Sequence, residues 1–249
     1  LTSLHGLFGS YAPLPYWLSV LLSAFTIIVI MNAFNLIDGI NGLAGSLVAL
    51  ITGTLGCWFL LVDEMAYAVL AFSTVGATLS FLQYNLTPAR IFMGDTGSLI
   101  LGMICAILSI QFIELNTSMP STSGYWFHNV PVVAIGIMII PLYDTLRVFV
   151  TRLLRGQPPL KADRRHIHHL LIDFGFSHTQ ATSLLTLVNM FFMMLVFSLD
   201  ALLDIHLLLL LIIIFDQSDL SVVSVGDFEK SAQNIKHGIF LGFLRGRPR

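Results

Sequence analysis

The chain has 249 residues, 56% of them hydrophobic and 10% charged, where an ordinary soluble domain is about 25% charged. With a mean hydropathy of +0.85, this excludes a water-soluble domain and points to an all-α fold, a polytopic bundle of transmembrane helices. The formal net charge of −2 is unremarkable, and no nucleic acid is expected as a partner. Cys57 and Cys105 fall in apolar segments with neither disulfide nor metal-ligand spacing, so both read as small buried side chains.

A bilayer-spanning helix needs about 20 mostly apolar residues. Seven stretches qualify in chain order: 16–31, 43–62, 66–83, 98–115, 130–150, 179–199 and 201–215. The fifth is the weakest, because Pro131 and Pro141 interrupt it and Asp144 and Arg147 lie in its last turns. Such kinks are tolerated where neighbouring helices satisfy the freed carbonyls. The longest internal polar stretch, 151–178, follows it. There Gly156-Gln157-Pro158-Pro159 breaks any helix. Asp163 is placed to N-cap a short helix over 164–174, which Gly175 ends. Ser177-x-x-Gln180 reads as a capping box opening the sixth span. Residues 1–215 thus form one membrane domain, and 216–249 a mixed polar and basic tail, peripheral and unassigned, in which 238–243 could touch the membrane surface.

Lysine and arginine set the orientation. All twelve lie in one set of alternating loops: Arg90, then Arg147, Arg152, Arg155, Lys161, Arg164 and Arg165, then five in the tail. The opposite loops, around Asp63-Glu64, 116–129 and Asp200, contain none. The basic side is therefore read as cytosolic. The chain begins at Leu1 without methionine or a charged leader, so it shows no signal peptide and reads as a fragment whose upstream part is missing.

Three polar clusters fall on the basic side. Asn32, Asn35 and Asp38 are three apart, making one polar face at the end of the first span. Amides beside a carboxylate suit a base or a sugar, which needs donors and acceptors; the bland reading is a polar helix end before the turn at Gly39 and Gly42. Asp95 lies in Phe92-Met93-Gly94-Asp95-Thr96-Gly97-Ser98, directly before a helix. A carboxylate at a bilayer edge is a functional suspect. It would hold Mg²⁺, which takes one or two carboxylates and completes its shell with phosphate and water; the bland reading is a helix N-cap. His166, His168 and His169 sit among Lys161, Arg164 and Arg165. On a helix His166 and His169 share a face and His168 points elsewhere, too few convergent ligands for zinc. A cationic cradle for a diphosphate fits better; a solvated basic loop is the alternative. Asp144 and Arg147, three apart, are first an ion pair on one helix, with a role in a site only secondary.

Together these residues resemble a known family, the polyprenyl-phosphate N-acetylhexosamine-1-phosphate transferases. Residues 32–44, 92–98, 141–147 and 162–171 are similar to four family signatures in family order, and the likeness runs from about 16 to 215. The family includes the phospho-N-acetylmuramoyl-pentapeptide transferase and the enzymes that load GlcNAc-1-phosphate onto undecaprenyl phosphate. The resemblance implies transfer of a sugar-1-phosphate from a UDP-sugar to a membrane lipid phosphate, with release of UMP. It implies Mg²⁺, or Mn²⁺ in its place, on Asp95. Catalytic roles fall to Asp95, Asp38, His166, His168 and His169. Nucleotide and sugar contacts fall to Asn32, Asn35, Asp38, Gly39, Phe92, Arg164 and Arg165. The His-Ile-His-His form resembles the GlcNAc-1-phosphate branch rather than the muramoyl-pentapeptide branch, which usually has three consecutive histidines. A bacterial inner membrane, a cytosol-facing site, a homodimer and the start of cell-envelope polysaccharide synthesis follow as expectations.

The sequence departs from the family in three ways. It has no Asp-Asp pair, which the family carries on an earlier cytosolic loop; seven spans are visible where members have about ten or eleven; and Asn41 stands where an aspartate is common. The chain alone is therefore expected to be inactive or impaired. A transporter is the competing class, but transporters bind near the bilayer midplane, whereas these polar residues gather at one edge. A non-catalytic fragment or scaffold is the third reading.

Overall fold

A computed structural model describes residues 1–86, 88–154, 156 and 166–210. Arg155, Lys161, Asp163, Arg164, Arg165, residues 211–215 and the tail 216–249, including 238–243, lie outside the described residues. The chain from Leu1 to Leu208 forms one compact unit.

Among the described residues eight α-helices are bounded at both ends: α1 Tyr16–Ile37, α2 Leu43–Leu61, α3 Met65–Asn85, α4 Gly94–Ser118, α5 Val130–Ile137, α6 Ile139–Leu154, α7 Ile167–Asp173 and α8 His178–Leu199. Extended pairing among the described residues is limited to a lone bridge between Ser3 and Pro13. The protein is a multi-pass membrane protein. Among the described residues five helices, α1 to α4 and α8, are each long and apolar enough to cross a bilayer, and α5 with α6 makes at most a sixth, broken span. The expected count of seven is therefore too high among the described residues. Past Asp200 the chain turns, and only 205–210 is helical before the described residues end.

Hydrophobic runs explain the long helices; the lipid and the core divide their faces. α2 is the most enclosed, burying Leu43, Leu47, Ile51, Leu55 and Phe59. α1, α3 and α8 leave Phe25, Ile28, Val69, Leu187 and Met194 exposed, as lipid contact requires. Cys105 is buried, but Cys57 is exposed, which corrects the expectation that both are buried.

The fifth expected span is bent by 87° between α5 and α6. In a continuous helix the Ile137 carbonyl would accept from residue 141, but Pro141 has no N–H to give. The carbonyl is taken instead by Asn189 of α8, whose Nδ2 donates to it at 2.9 Å, while Asn189 Oδ1 accepts from the Ile140 N–H at 3.2 Å. Beyond the bend α6 is strongly amphipathic. Leu146, Phe149, Val150 and Leu153 form an exposed apolar stripe, and Asp144, Val148 and Arg152 are buried opposite.

α1 and α3 end, and α2, α4 and α8 begin, at one end of the bundle, where the polar motifs collect. The other end is closed by its own polar latches. Asp200 accepts from the backbone N–H groups of His128 and Asn129, both at 2.8 Å, and Asn116 makes paired bonds with the Phe127 backbone.

Candidate functional site

Asp95 lies in the first turn of α4, where the N-cap position is Met93 and no side chain caps the helix. The capping role that its sequence context suggests is thus not one that Asp95 fills. Gly94, at φ 66°, supplies the left-handed turn that starts the helix there. The Asn35 Nδ2 donates to Asp95 Oδ1 at 3.3 Å and to Ser98 Oγ at 3.0 Å, tying the end of α1 to the start of α4. Asp38, at the end of α1, has its carboxyl pushed up to about 6, by burial first and then by the charge of Asp95. Two carboxylates crowding one another in this way suit a divalent cation, and the donors are hard oxygens. Among the described residues no three His, Cys, Asp or Glu side chains are grouped to hold a metal alone. An ion here would complete its shell with phosphate and water oxygens.

The histidine segment docks beside these carboxylates. Asp144 of α6 is 2% exposed. It accepts from the Ile167 N–H at 3.0 Å, lies 2.9 Å from His166 Nδ1, and is 3.3 Å from an Arg147 nitrogen. The Asp144–Arg147 pair expected from spacing is present, but Asp144 also anchors the start of α7. His166 is the N-cap residue there and α7 begins at Ile167, so the helix expected over 164–174 starts later among the described residues. It ends as expected. Gly175, at φ 96°, donates to Ile172 O at 2.9 Å and Phe176 to Leu171 O at 3.1 Å, the paired bonds of a Schellman motif. The capping box of Ser177 and Gln180 opens α8.

His168 is 1% exposed, and among the described residues neither ring nitrogen has a hydrogen-bond partner. Burial outweighs the nearby Asp144 and holds its pKa down at about 3, so the imidazole is neutral. Its ring lies 4.3 Å from that of His169. Gly39 brings the α1–α2 loop against it: a Cβ on Gly39 would overlap His168 Nε2. A chain of contacts thus runs from Asp95, through Asn35 and Asp38, to the adjoining Gly39 and on to His168, which neighbours His166, His169 and Asp144. Asn32 stands apart, its Nδ2 donating to Ile28 O at 2.7 Å on its own helix. Phe92 is exposed at the rim. Arg164 and Arg165 lie outside the described residues.

Sequence reasoning missed three residues that hold this cluster. Asn85, buried at the end of α3, accepts from the Gly42 N–H at 2.7 Å and donates to Ile91 O at 2.8 Å, clipping together the two loops that carry Asp38 and Asp95. His178 Nδ1 accepts from the Asn41 N–H at 3.3 Å. Asn189 holds the α5–α6 bend. A lone amide inside an apolar span was the available signal for Asn189, since polar groups in membranes are expensive; Asn85 and His178, near span ends, carried no comparable signal.

Fold and site define a polytopic helical membrane protein with an acidic and imidazole centre at one end of its bundle. Residues 1–113 match the family model described as Glycosyl transferase family 4. It is 35% identical over 176 residues to the probable undecaprenyl-phosphate N-acetylglucosaminyl 1-phosphate transferase of Bacillus subtilis, covering 71% of this chain and 47% of that protein. It is 34% identical over 195 residues to the undecaprenyl-phosphate alpha-N-acetylglucosaminyl 1-phosphate transferase of Escherichia coli K12, covering 75% of this chain and 50% of that protein. The protein of the same name from Yersinia pestis is 31% identical over 191 residues. The chain spans about half the length of the curated relatives it matches.

Proposed function

We propose that this protein takes part in transferring an N-acetylhexosamine-1-phosphate, GlcNAc-1-phosphate by preference, from a UDP-sugar to undecaprenyl phosphate at the cytosolic face of a bacterial inner membrane. The observation that carries the reading is the joining of Asp38 and Asp95 to the Gly39–His168 contact at one end of a membrane bundle. The names of the relatives supply the substrate class. An oxygen of the lipid phosphate bonds to the sugar-bearing phosphorus, and the bond from that phosphorus to the bridging oxygen breaks. UMP leaves with that electron pair. Asp95 and Asp38 would hold Mg²⁺, which when bound would neutralise charge on the assembled phosphates. Asn35 holds Asp95 in place by donating to it. His168, buried and neutral, packs its Nε2 edge against Gly39 and so fixes the α1–α2 loop beside the histidine segment that would line the diphosphate–sugar region. A lipid substrate cannot leave the bilayer and a nucleotide cannot enter it, so a site at the interface meets both.

The test is exchange of labelled UMP into UDP-GlcNAc in membranes, with lipid phosphate and with or without Mg²⁺. It is run on this chain and on the longest reading frame that contains it. Exchange that needs Mg²⁺ and falls at least a hundredfold in Asp95→Asn supports the reading. Exchange unchanged by that substitution removes Asp95 from the metal role, and no exchange in either form overturns the assignment.

A further inference from the structure

Asn189 lies in the middle of an apolar helix and is fully buried. Both ends of its amide are used across the α5–α6 bend. Nδ2 donates to Ile137 O, and Oδ1 accepts from Ile140 N. The partners fix the orientation of the amide, because a carbonyl requires the NH₂ and an N–H requires the oxygen. Without this side chain the Ile137 carbonyl would be left unsatisfied by Pro141, in a setting where water is absent. α8 also presses directly on α5, since a Cβ on Gly136 would stand 2.5 Å from Val196 Cγ1.

The bend has a chemical consequence. Asp144 lies four residues beyond Ile140, one turn into α6. Its carboxylate receives the His166 ring and the Ile167 N–H. The next imidazole, His168, is the one packed against Gly39. We infer that Asn189 is a positioning residue: by clamping the break in the membrane it sets the direction of α6 and thereby delivers Asp144 to the histidine segment. This deepens the transferase reading and rests on it for its kinetic part. Asn189 touches neither substrate nor metal in this scheme and acts through Asp144.

Two measurements test it. The first is independent of activity. Spin labels at Leu153→Cys on α6 and Leu187→Cys on α8, both exposed positions, are placed in the reconstituted protein with Cys57 and Cys105 replaced by alanine. Asn189→Leu is expected to broaden or shift their distance distribution, whereas Asn189→Asp at pH 5, where a protonated carboxyl supplies the same donor and acceptor, retains it. An unchanged distribution in Asn189→Leu overturns the clamp whether or not exchange is seen. The second is UMP exchange. Asn189→Leu lowers kcat at least tenfold with KM for the UDP-sugar within about twofold. Asn189→Asp, normalised to the native protein, recovers as the pH is lowered. Combined with Asp144→Asn, Asn189→Leu adds little further loss, because both act on one element. Independent, multiplying losses, or a flat pH ratio for Asn189→Asp, overturn the positioning role. A changed distance in a protein that never exchanges UMP leaves the clamp standing and sinks the transferase reading alone.

Discussion

Gly39 and Asp38 sit side by side in the sequence and do opposite things. Gly39 matters for the atom it lacks, since a methyl there runs into His168 Nε2. Overpacking of this kind costs about 1–3 kcal/mol, and about 2–4 °C of thermal midpoint goes with each kcal/mol in a chain of this size. Gly39→Ala is therefore expected to melt several degrees lower and to lose UMP exchange at least tenfold. Gly53→Ala serves as the comparison, since its Cβ would meet nothing nearer than 3.7 Å; equal effects from both would show that the His168 contact is not what matters. Asp38 matters for a charge it holds unwillingly. Its folded pKa, about 6, lies above the ordinary 3.8, so the folded state binds the proton more tightly than the unfolded one. The stability this contributes is complete below about pH 4 and lost as the pH rises through 6. In chelator, the thermal midpoint should fall between pH 5 and 7 in the native protein, and this slope should flatten in Asp38→Asn. Added Mg²⁺ should raise the midpoint at pH 7 in the native protein more than in the variant. A midpoint that climbs over the same pH range in chelator contradicts the burial of Asp38 beside Asp95.

At the scale of helices and loops, the legible features were those written in neighbouring residues. Long apolar runs gave the spans, Ser177 with Gln180 gave the start of α8, and Gly175 gave the end of α7, because each involves backbone groups within a few residues. The sharp turn of α6 was only half legible. Pro131 and Pro141 announced an interruption, but its angle depends on Asn189, roughly fifty residues further on. Likewise, spacing offered Asp144 a partner in Arg147, while its bonds to His166 and Ile167 cross a loop whose path no local pattern records. Among the site residues, Asn35, Asp38 and Asn32 formed one face on paper, yet the structure turns Asn32 back on Ile28 and gives Asn35 to α4. Asn85 makes the same point as a prediction. It is buried and satisfies one group in each of two loops. Replacing it by leucine strands the Gly42 N–H and the Ile91 carbonyl, at about 1–3 kcal/mol each. Asn85→Leu should lower the thermal midpoint by more than Gly39→Ala does and raise the Mg²⁺ concentration needed for half-maximal exchange, since the loops carrying Asp38 and Asp95 lose their common clip. A variant with a lower midpoint but the native Mg²⁺ dependence would make Asn85 a stabilising residue only.

For the whole molecule, the two ends of the bundle differ in charge as well as in chemistry. The site end carries Arg90, Arg147 and Arg152 among the described residues, and the sequence joins α6 to α7 through Arg155, Lys161, Arg164 and Arg165. Among the described residues the far end carries Asp63, Glu64, Glu114 and Asp200 and no lysine or arginine. Membrane insertion retains basic loops on the cytosolic side, so the acidic and imidazole centre should face the cytosol, where a nucleotide sugar is supplied. This is open to direct measurement, because each end offers an exposed polar position away from the site cluster. With Cys57 replaced by alanine, Ser121→Cys in the loop between α4 and α5, an exposed position, should react with a membrane-impermeant maleimide in intact cells. Gln83→Cys, exposed in the last turn of α3, should react only after the membrane is permeabilised. The opposite pattern would turn the site outward, away from any pool of UDP-sugar, and the transferase reading would fall with it even if every contact around Asp95 were correct.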